Sequence, residues 1–419
     1  MTARSIIMHI DVNSAFLSWQ AAYNLQHGDL LDLREIPSAV GGSQKDRRGI
    51  VLAKSIPAKI KGIQTGQVIW QAKEKCPELI VVPPDYGLYM MCSNALYQLV
   101  HECSPTVQRF SVDEMFLDYT GMEKNFGEPV KAAHSLKDKI KKELGFTVNI
   151  GIGTNKLLAK MAGDLKKPDM VHTILSKKEM KNKMWPLPVE DLFMVGRATK
   201  RKLKDLNITT IGDLAEIDAE ILKYKLKSFG SLIWQYANGI DKSVMKNGAT
   251  VPMKSIGNST TIKFDVDNSK TAYKVLLSLT ESVTQRLRRA RCCCSVISIE
   301  IRTAELGFYS HQRKVFSPTN ITIEIFKTVK ELFDEGWKGE KIRHLGVRVA
   351  DLCSDEFIQA TIFDDELREK KQNLDYAIDR VRDIHGKYSV MRGTFLDKEI
   401  KPMIGGVDID EYPLMSGIL

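Results

Sequence analysis

At 419 residues, with 43% hydrophobic and 27% charged content, the chain has ordinary globular proportions and room for several domains, each with its own core. The net charge of +9 favours an anionic partner, with nucleic acid ahead of an acidic membrane. No stretch is long and apolar enough to span a bilayer, and the first apolar run is short and ends on Asp11, so no membrane span or signal peptide is read and a cytoplasmic location is expected.

The 7 cysteines form no C-x-x-C pair. Cys292, Cys293 and Cys294 lead into an apolar strand, where neighbours point to opposite faces and cannot easily share one zinc. They read as packing residues of a reducing compartment.

In chain order, residues 6–10 form an apolar strand that ends on Asp11. Residues 14–84 form an insertion with helix-like and strand-like pieces at 18–25, 49–53 and 69–75. Tyr89, Cys92, Leu96, Leu99, Val100 and Cys103 then recur at helical spacing. Residues 106–110 and 115–119 read as two strands of a tight hairpin, with Asp113 and Glu114 at the turn. A helix over 128–144, a strand over 147–152 and a helix over 156–164 follow. Lys166-Lys167-Pro168 stops that last helix.

Without the insertion the order is βαββαβ, the split-βαβ or ferredoxin-like arrangement. The first two strands are joined through a helix and run parallel, so the acidic hairpin lies at the sheet end where the first strand finishes. Asp11, Asp113 and Glu114 therefore converge on one edge. Packed carboxylates resist ionisation unless a cation compensates. Oxygen-only ligands suit a hard ion such as Mg2+, and two such ions could clamp an in-line phosphoryl transfer.

Several short motifs match one family in order: Ile10-Asp11-Val12-Asn13-Ser14-Ala15-Phe16, Val40-Gly41-Gly42, Arg48-Gly49, Ser111-Val112-Asp113-Glu114, Asn149-Ile150-Gly151-Ile152-Gly153, Asn155-Lys156 with Ala159-Lys160, and Lys167-Pro168. On these the chain resembles the Y-family, translesion DNA polymerases, nearest the bacterial DNA polymerase IV branch. The resemblance implies an α+β, multidomain right-hand polymerase with a ferredoxin-like (βαββαβ) palm at 1–14 and 85–174 and small fingers at 15–84. A helical helix-hairpin-helix thumb at 175–244 and a linker at 245–253 would precede a second βαββαβ domain, the little finger, at 254–353. A tail covers 354–419.

The same resemblance implies template-directed addition of deoxynucleotides to a primer 3′ end, across damaged DNA. Asp11, Asp113 and Glu114 would be catalytic and would hold two Mg2+ ions with the Val12 carbonyl. Phe16, Lys59 and Lys167 would meet the nucleotide, with Phe16 as a steric gate against ribose. Its bland alternative is a core aromatic. Two departures stand out. Where the branch commonly has Tyr-Glu-Ala-Arg, this chain has Ile56-Pro57-Ala58-Lys59, which replaces a hydroxyl by an alkyl group and a bidentate fork by a point charge.

Further along, Gly196 opens a basic helix that carries Lys200, which suits a DNA phosphate. A second βαββαβ set holds Arg313, Lys314 and Arg343, for which the resemblance implies backbone contacts to DNA. Gln359, Ile362 and Phe363 resemble a sliding-clamp peptide, although a β-like core segment reads equally well. Leu374, Ala377, Ile378 and Val381 mark an amphipathic helix ended by Gly386. Primer-template DNA, deoxynucleoside triphosphates and a clamp are the expected partners of a monomer with no membrane role. The rival readings are a nucleotidyl-cyclase-like enzyme and a non-catalytic palm protein that binds DNA.

Overall fold

The computed structural model describes residues 5–45, 47, 49–246, 253–356, 367–397 and 399–403. They fall into two compact units, one drawn from Met1–Gly41 and Val51–Val251 and the other from Gly42–Ile50 and Pro252–Tyr412. No helix among the described residues is long and apolar enough to cross a membrane.

The first unit begins with β1 (Ile7–Val12), buried along its whole length, and α1 (Ala15–Gln26). A small sheet follows from β2 (Ser38–Gly41), β3 (Val51–Lys54) and β4 (Ile80–Val82), with β2 in the middle. Between β3 and β4 lie α2 (Ile56–Ile60) and α3 (Ile69–Lys75). Ala39, Val51, Ala58, Ile63, Ile69 and Leu79 form the separate core of this piece. It occupies the insertion expected between the first strand and the first helix of the βαββαβ unit.

The chain then runs through α4 (Tyr86–His101), β5 (Val107–Arg109), β6 (Glu114–Asp118), the short α5 (Glu123–Phe126), α6 (Pro129–Leu144), β7 (Val148–Gly153) and α7 (Lys156–Asp164). The α7 boundaries agree with the sequence reading. A fifth strand, β8 (Val171–Ile174), was not anticipated. It adds to the edge of the sheet beside β7, giving the order β5-β6-β1-β7-β8. The first four are in the ferredoxin-like arrangement. β1 is antiparallel to both β6 and β7, and Asp11 pairs with Glu114 on one side and Asn149 on the other.

Strand alternation assigns the faces. Met8 pairs with Leu117, and Leu136 of α6 joins them on one face. His9, Asp11, Glu114 and Phe116 share the other face, which α7 covers. The approach of α7 is close enough to require glycine. A Cβ at Gly151 would sit 2.0 Å from the Ala159 carbonyl oxygen and 2.2 Å from the Gly163 nitrogen. Any side chain there would push α7, and with it Lys160, away from the sheet.

A helical segment completes this unit: α8 (Lys177–Lys183), α9 (Arg197–Lys204), α10 (Ile211–Glu216), α11 (Ala219–Leu226) and α12 (Ser228–Ala237). Thr210 caps α10 in a reciprocal pair with Asp213. Of the expected linker, Met245 packs against the Ile7, Phe116 and Ala159 cluster; residues 247–252 lie outside the described residues.

The second unit contains β9 (Ser255–Val266), α13 (Ser269–Arg289), β10 (Cys292–Thr303), β11 (Phe308–Thr319), α14 (Thr322–Gly336) and β12 (Ile342–Ser354). The element order repeats that of the first sheet, yet the strand order is β11-β10-β12-β9, antiparallel throughout. The two βαββαβ sets are therefore different topologies. α13 and α14 pack on one face through Leu276, Leu279, Val283, Ile325, Val329 and Phe333. Cys293 and Cys294 are buried in β10 and every described cysteine is a free thiol, as the packing reading required.

α15 (Arg368–His385) ends at Gly386 as expected, but its orientation is a surprise. Its buried residues are Asp375, Asp379 and Arg382, whereas Leu374 and Val381 are exposed. The helix docks through charge. Arg288 of α13 donates to both Asp379 oxygens, at 2.6 and 3.1 Å. Asp375 accepts from the Thr322 backbone N–H at 2.7 Å, satisfying a donor at the start of α14. Glu281 takes Arg392 at 2.7 Å, on the chain just after α15.

Candidate active site

An open cleft of about 350 Å³ lies in the first unit, lined by Asp11, Val12, Phe16, Lys54, Ser55, Ile56, Lys59, Asp113 and Lys167 among others. Most of the residues picked from sequence for metal and nucleotide binding thus meet in one place. Glu114 is beside this cleft, opposite Asp11 in the sheet. The β1–β6 pairing does the positioning: the Val12 N–H donates to the Asp113 carbonyl at 3.1 Å, drawing the hairpin turn against the end of β1.

Each carboxylate has one oxygen engaged by the protein. Asp113 Oδ1 accepts from the Ser111 hydroxyl at 2.5 Å. Asp11 Oδ2 is bonded to Lys167, whose ammonium also pairs with Asp164 at 2.8 Å. Glu114 Oε2 takes both His9 Nε2 at 3.1 Å and Lys160 Nζ at 2.6 Å. The second oxygen of each group has no hydrogen bond among the described residues.

The local charges follow from this arrangement. Burial raises the Asp113 carboxyl above its ordinary range; the Ser111 hydrogen bond opposes the rise, and the Asp11 and Glu114 charges add to it. Burial also pushes Glu114 up, but the His9 bond and charge and the Lys160 charge outweigh it and bring the carboxyl down to about 2. Burial works against the charge on Lys167, yet Asp11 and Asp164 raise its ammonium well above the usual lysine range. Lys54 moves the other way, lowered by burial and by the Lys59 charge. Two cations that repel one another across a cleft form a receptive site for an anion.

Phe16 is half-buried and lines the cleft. Its ring is stacked on Tyr89 of α4, with centroids 4.5 Å apart and planes 7° apart. Tyr86 stands edge-on to it at 6.1 Å. Ile56, at the start of α2, is 48% exposed and presents an alkyl surface to the same cleft.

The donor set fits a hard divalent cation. Among the described residues, no group of three or more His, Cys, Asp or Glu side chains forms a cage by itself. Mg2+ does not usually require one, since it is held by one or two carboxylates together with waters and substrate phosphates. Asp11 and Asp113 on the cleft wall, each with an unpaired oxygen, match that pattern.

The expected nucleic-acid contacts fare unevenly. Gly196 is the N-cap of α9 and faces open space. Lys200 is ion-paired with Glu190 at the surface. Arg313 requires a correction. It pairs in register with buried Ile297, on the helix side of the sheet, where Glu331 and Glu335 of α14 hold its guanidinium at 2.7 and 2.6 Å. On the opposite face Lys314 and Arg348 are exposed. Arg343 is half-buried near the β12 start. Gln359, Ile362 and Phe363 lie outside the described residues.

His9 and Lys54 went unassigned in the sequence reading, and Ser111 and Lys160 were noted only as parts of motifs. His9 looked like an ordinary strand residue, and Lys54 one of many lysines. Only strand register and the fold of the insertion bring them to the carboxylates and the cleft.

Comparison with known proteins agrees with the geometry. The impB/mucB/samB family model matches residues 10–164, and the model of that family's C-terminal domain matches 253–362. The chain belongs to the impB/mucB/samB family. Relatives of the family include DNA polymerase IV of Clostridium acetobutylicum, 45% identical over 94% of this chain and 99% of the relative. DNA polymerase IV of Acetivibrio thermocellus is 40% identical over 94% and 98%. DNA polymerase IV 2 of Bacillus subtilis is 35% identical over 94% and 96%. A solved Y-family DNA polymerase chimera of Dbh and Dpo4 shares the fold, with a TM-score of 0.71 at 21% identity, over 83% of this chain and 99% of the other.

The depressed Glu114 carboxyl leads to a pH test. Its contribution to stability is present above the ordinary carboxylate range and is lost as pH falls towards about 2. Lys160→Met should raise the Glu114 midpoint, with the His9 contact left to oppose burial alone. Carboxyl carbon NMR shifts across the acid range measure it; an unmoved midpoint would show that Lys160 does not hold the charge.

Proposed function

We propose that the cleft carries out template-directed transfer of deoxynucleotides to a primer 3′ end, in synthesis across damaged DNA. The observation that carries this reading is the set of three carboxylates, each with one oxygen engaged and one left over, beside a cleft lined by lysines. Near-full-length similarity to DNA polymerases IV supports it. A cyclase-like palm would account for the sheet but not for the matching C-terminal domain, and a non-catalytic palm that binds DNA would not account for the three retained carboxylates.

Asp11, Asp113 and Glu114, with the Val12 carbonyl, would hold two Mg2+ ions. When bound, such ions neutralise charge on the α-phosphate and leaving pyrophosphate and favour ionisation of the primer 3′-hydroxyl. The protein's own part is placement. Lys59, Lys54 and Lys167 face the cleft and would meet the triphosphate as point charges. Lys54 supplies a charge close to where Ile56 offers no hydroxyl. Lys167 would exchange its bond to Asp11 for a phosphate as the nucleotide enters.

Regions 1–14 and 85–174 would act as palm, 15–84 as fingers, 175–244 as thumb and 254–353 as little finger. Gly196, Lys200, Lys314 and Arg348 would meet the DNA backbone, with Arg343 near the start of β12. The tail segment with Gln359, Ile362 and Phe363 would engage a sliding clamp, and the enzyme would work as a cytoplasmic monomer.

Asp113→Ala and Glu114→Ala should each leave primer-template binding largely intact and stop nucleotide addition, since each removes metal–phosphate stabilisation of several kcal/mol. Primer extension with Mg2+ is the measurement, and near-normal extension by both variants would overturn the assignment.

Phe16 should set sugar choice. Its ring is backed by Tyr89 and cannot retreat without overpacking, which costs about 1–3 kcal/mol, or roughly fivefold to 160-fold in rate. Phe16→Ala should raise ribonucleotide insertion by that factor relative to deoxynucleotide insertion. Matched single-nucleotide insertion assays decide it, and an unchanged ratio would return Phe16 to a packing role.

A further inference from the structure

We propose that His9 and Lys160 are positioning residues that together hold Glu114 by Oε2, and so leave Oε1 available to a divalent ion. The inference rests on the metal reading above and extends it to two residues that do not line the cleft.

His9 is fully buried in β1, on the sheet face that also carries Asp11. It sits opposite Phe116 on β6 and opposite Gly151 on β7. The Phe116 ring lies 4.9 Å away, and a Cβ at Gly163 of α7 would come within 3.2 Å of His9 Nδ1. The imidazole therefore occupies a slot between sheet and helix in which it has no room to swing. Among the described residues its one side-chain hydrogen bond is Nε2 to Glu114 Oε2, and Nδ1 is buried without a partner. Because an ionised carboxylate only accepts, Nε2 carries a proton and donates it to that bond. A phenylalanine would fill the slot without leaving a buried nitrogen unpaired, so packing alone does not account for the imidazole.

Lys160 reaches the same oxygen from α7. Its ammonium lies 5.4 Å from the Phe110 ring centroid and 5.6 Å from that of Phe193, a flanking pair that favours the cation where it is. Its side chain is 11% exposed, against 38% for Lys167. The two lysines thus have different duties. Lys167 is open enough to let go of Asp11, whereas Lys160 is enclosed and stays with Glu114. With two donors from two elements on one oxygen, the carboxylate plane is set before any ligand arrives, and a metal ion need not spend binding energy ordering it.

The test is direct binding of Mn2+, followed by electron paramagnetic resonance of the free ion. It uses the full chain with primer-template ending in a dideoxynucleotide and the matching deoxynucleoside triphosphate, so no turnover occurs. His9→Phe should weaken Mn2+ binding about tenfold or more, with DNA affinity and thermal unfolding close to those of the parent. His9→Gln should recover part of the loss, because its amide can donate. Lys160→Met gives an independent second variant and should weaken Mn2+ binding as well. Glu114→Gln is run beside them to separate the two levels of the argument. If Glu114→Gln weakens binding while His9→Phe and Lys160→Met do not, the positioning role is wrong and the metal reading stands. If none of the three changes the Mn2+ affinity, Glu114 is not a ligand and both fall.

Discussion

The site depends on two like charges set opposite one another. Antiparallel pairing of β1 with β6 places Asp11 across from Glu114, an arrangement that is destabilising in a sheet unless other charges compensate. Asp113 joins them from the turn. The protein compensates with Lys160 and His9 on Glu114 and Lys167 on Asp11. Compensation is partial by construction, because each carboxylate is bonded through a single oxygen. The remaining oxygens define a site that can accept cation charge without dismantling the internal pairs.

α7 links this electrostatics to the fold. It carries Lys160, ends near Lys167 and packs so tightly on β7 that Gly151 cannot bear a side chain. The same closeness makes the slot for His9. A core constraint therefore fixes where two donors meet a carboxylate, and sheet register fixes where that carboxylate is. The insertion between β1 and α4 supplies the rest of the cleft. There Ile56 presents an alkyl group to the cleft, and Lys54 and Lys59 line it as two nearby cations. Such a wall offers an anion point charge rather than a bidentate fork.

Much of this was legible in the sequence. The βαββαβ order placed Asp11 beside the acidic hairpin, and proline and periodicity set the end of α7. What escaped depended on register or on partners distant in sequence. β8 is short and half-buried, so it lacks a strong alternating signal. His9 is a bonded residue only because strand diagonals bring it to Glu114. Arg313 looked like a phosphate contact because strand parity predicts that Arg313 and Lys314 face opposite ways, but not which way faces α14. α15 shows the limit of amphipathic reasoning: its apolar residues are real, yet Arg288 of α13, paired with Asp379, and Glu281 of α13, 3.7 Å from Arg382, select the opposite, charged face for burial. Buried ion pairs add little net stability, but breaking one by removing a single partner is strongly destabilising because it leaves a buried charge unpaired.

The central claim is that Asp11, Asp113 and Glu114 form one divalent-metal centre. Crystals of the full chain with a dideoxy-terminated primer-template, incoming nucleotide and Mn2+ would test it most directly, through anomalous scattering at the manganese edge. The account predicts two peaks bounded by Asp11 and Asp113, with Glu114 Oε1 on one of them and His9 and Lys160 still on Oε2. Peaks elsewhere in the cleft, or a Glu114 that ligates neither ion, would contradict it.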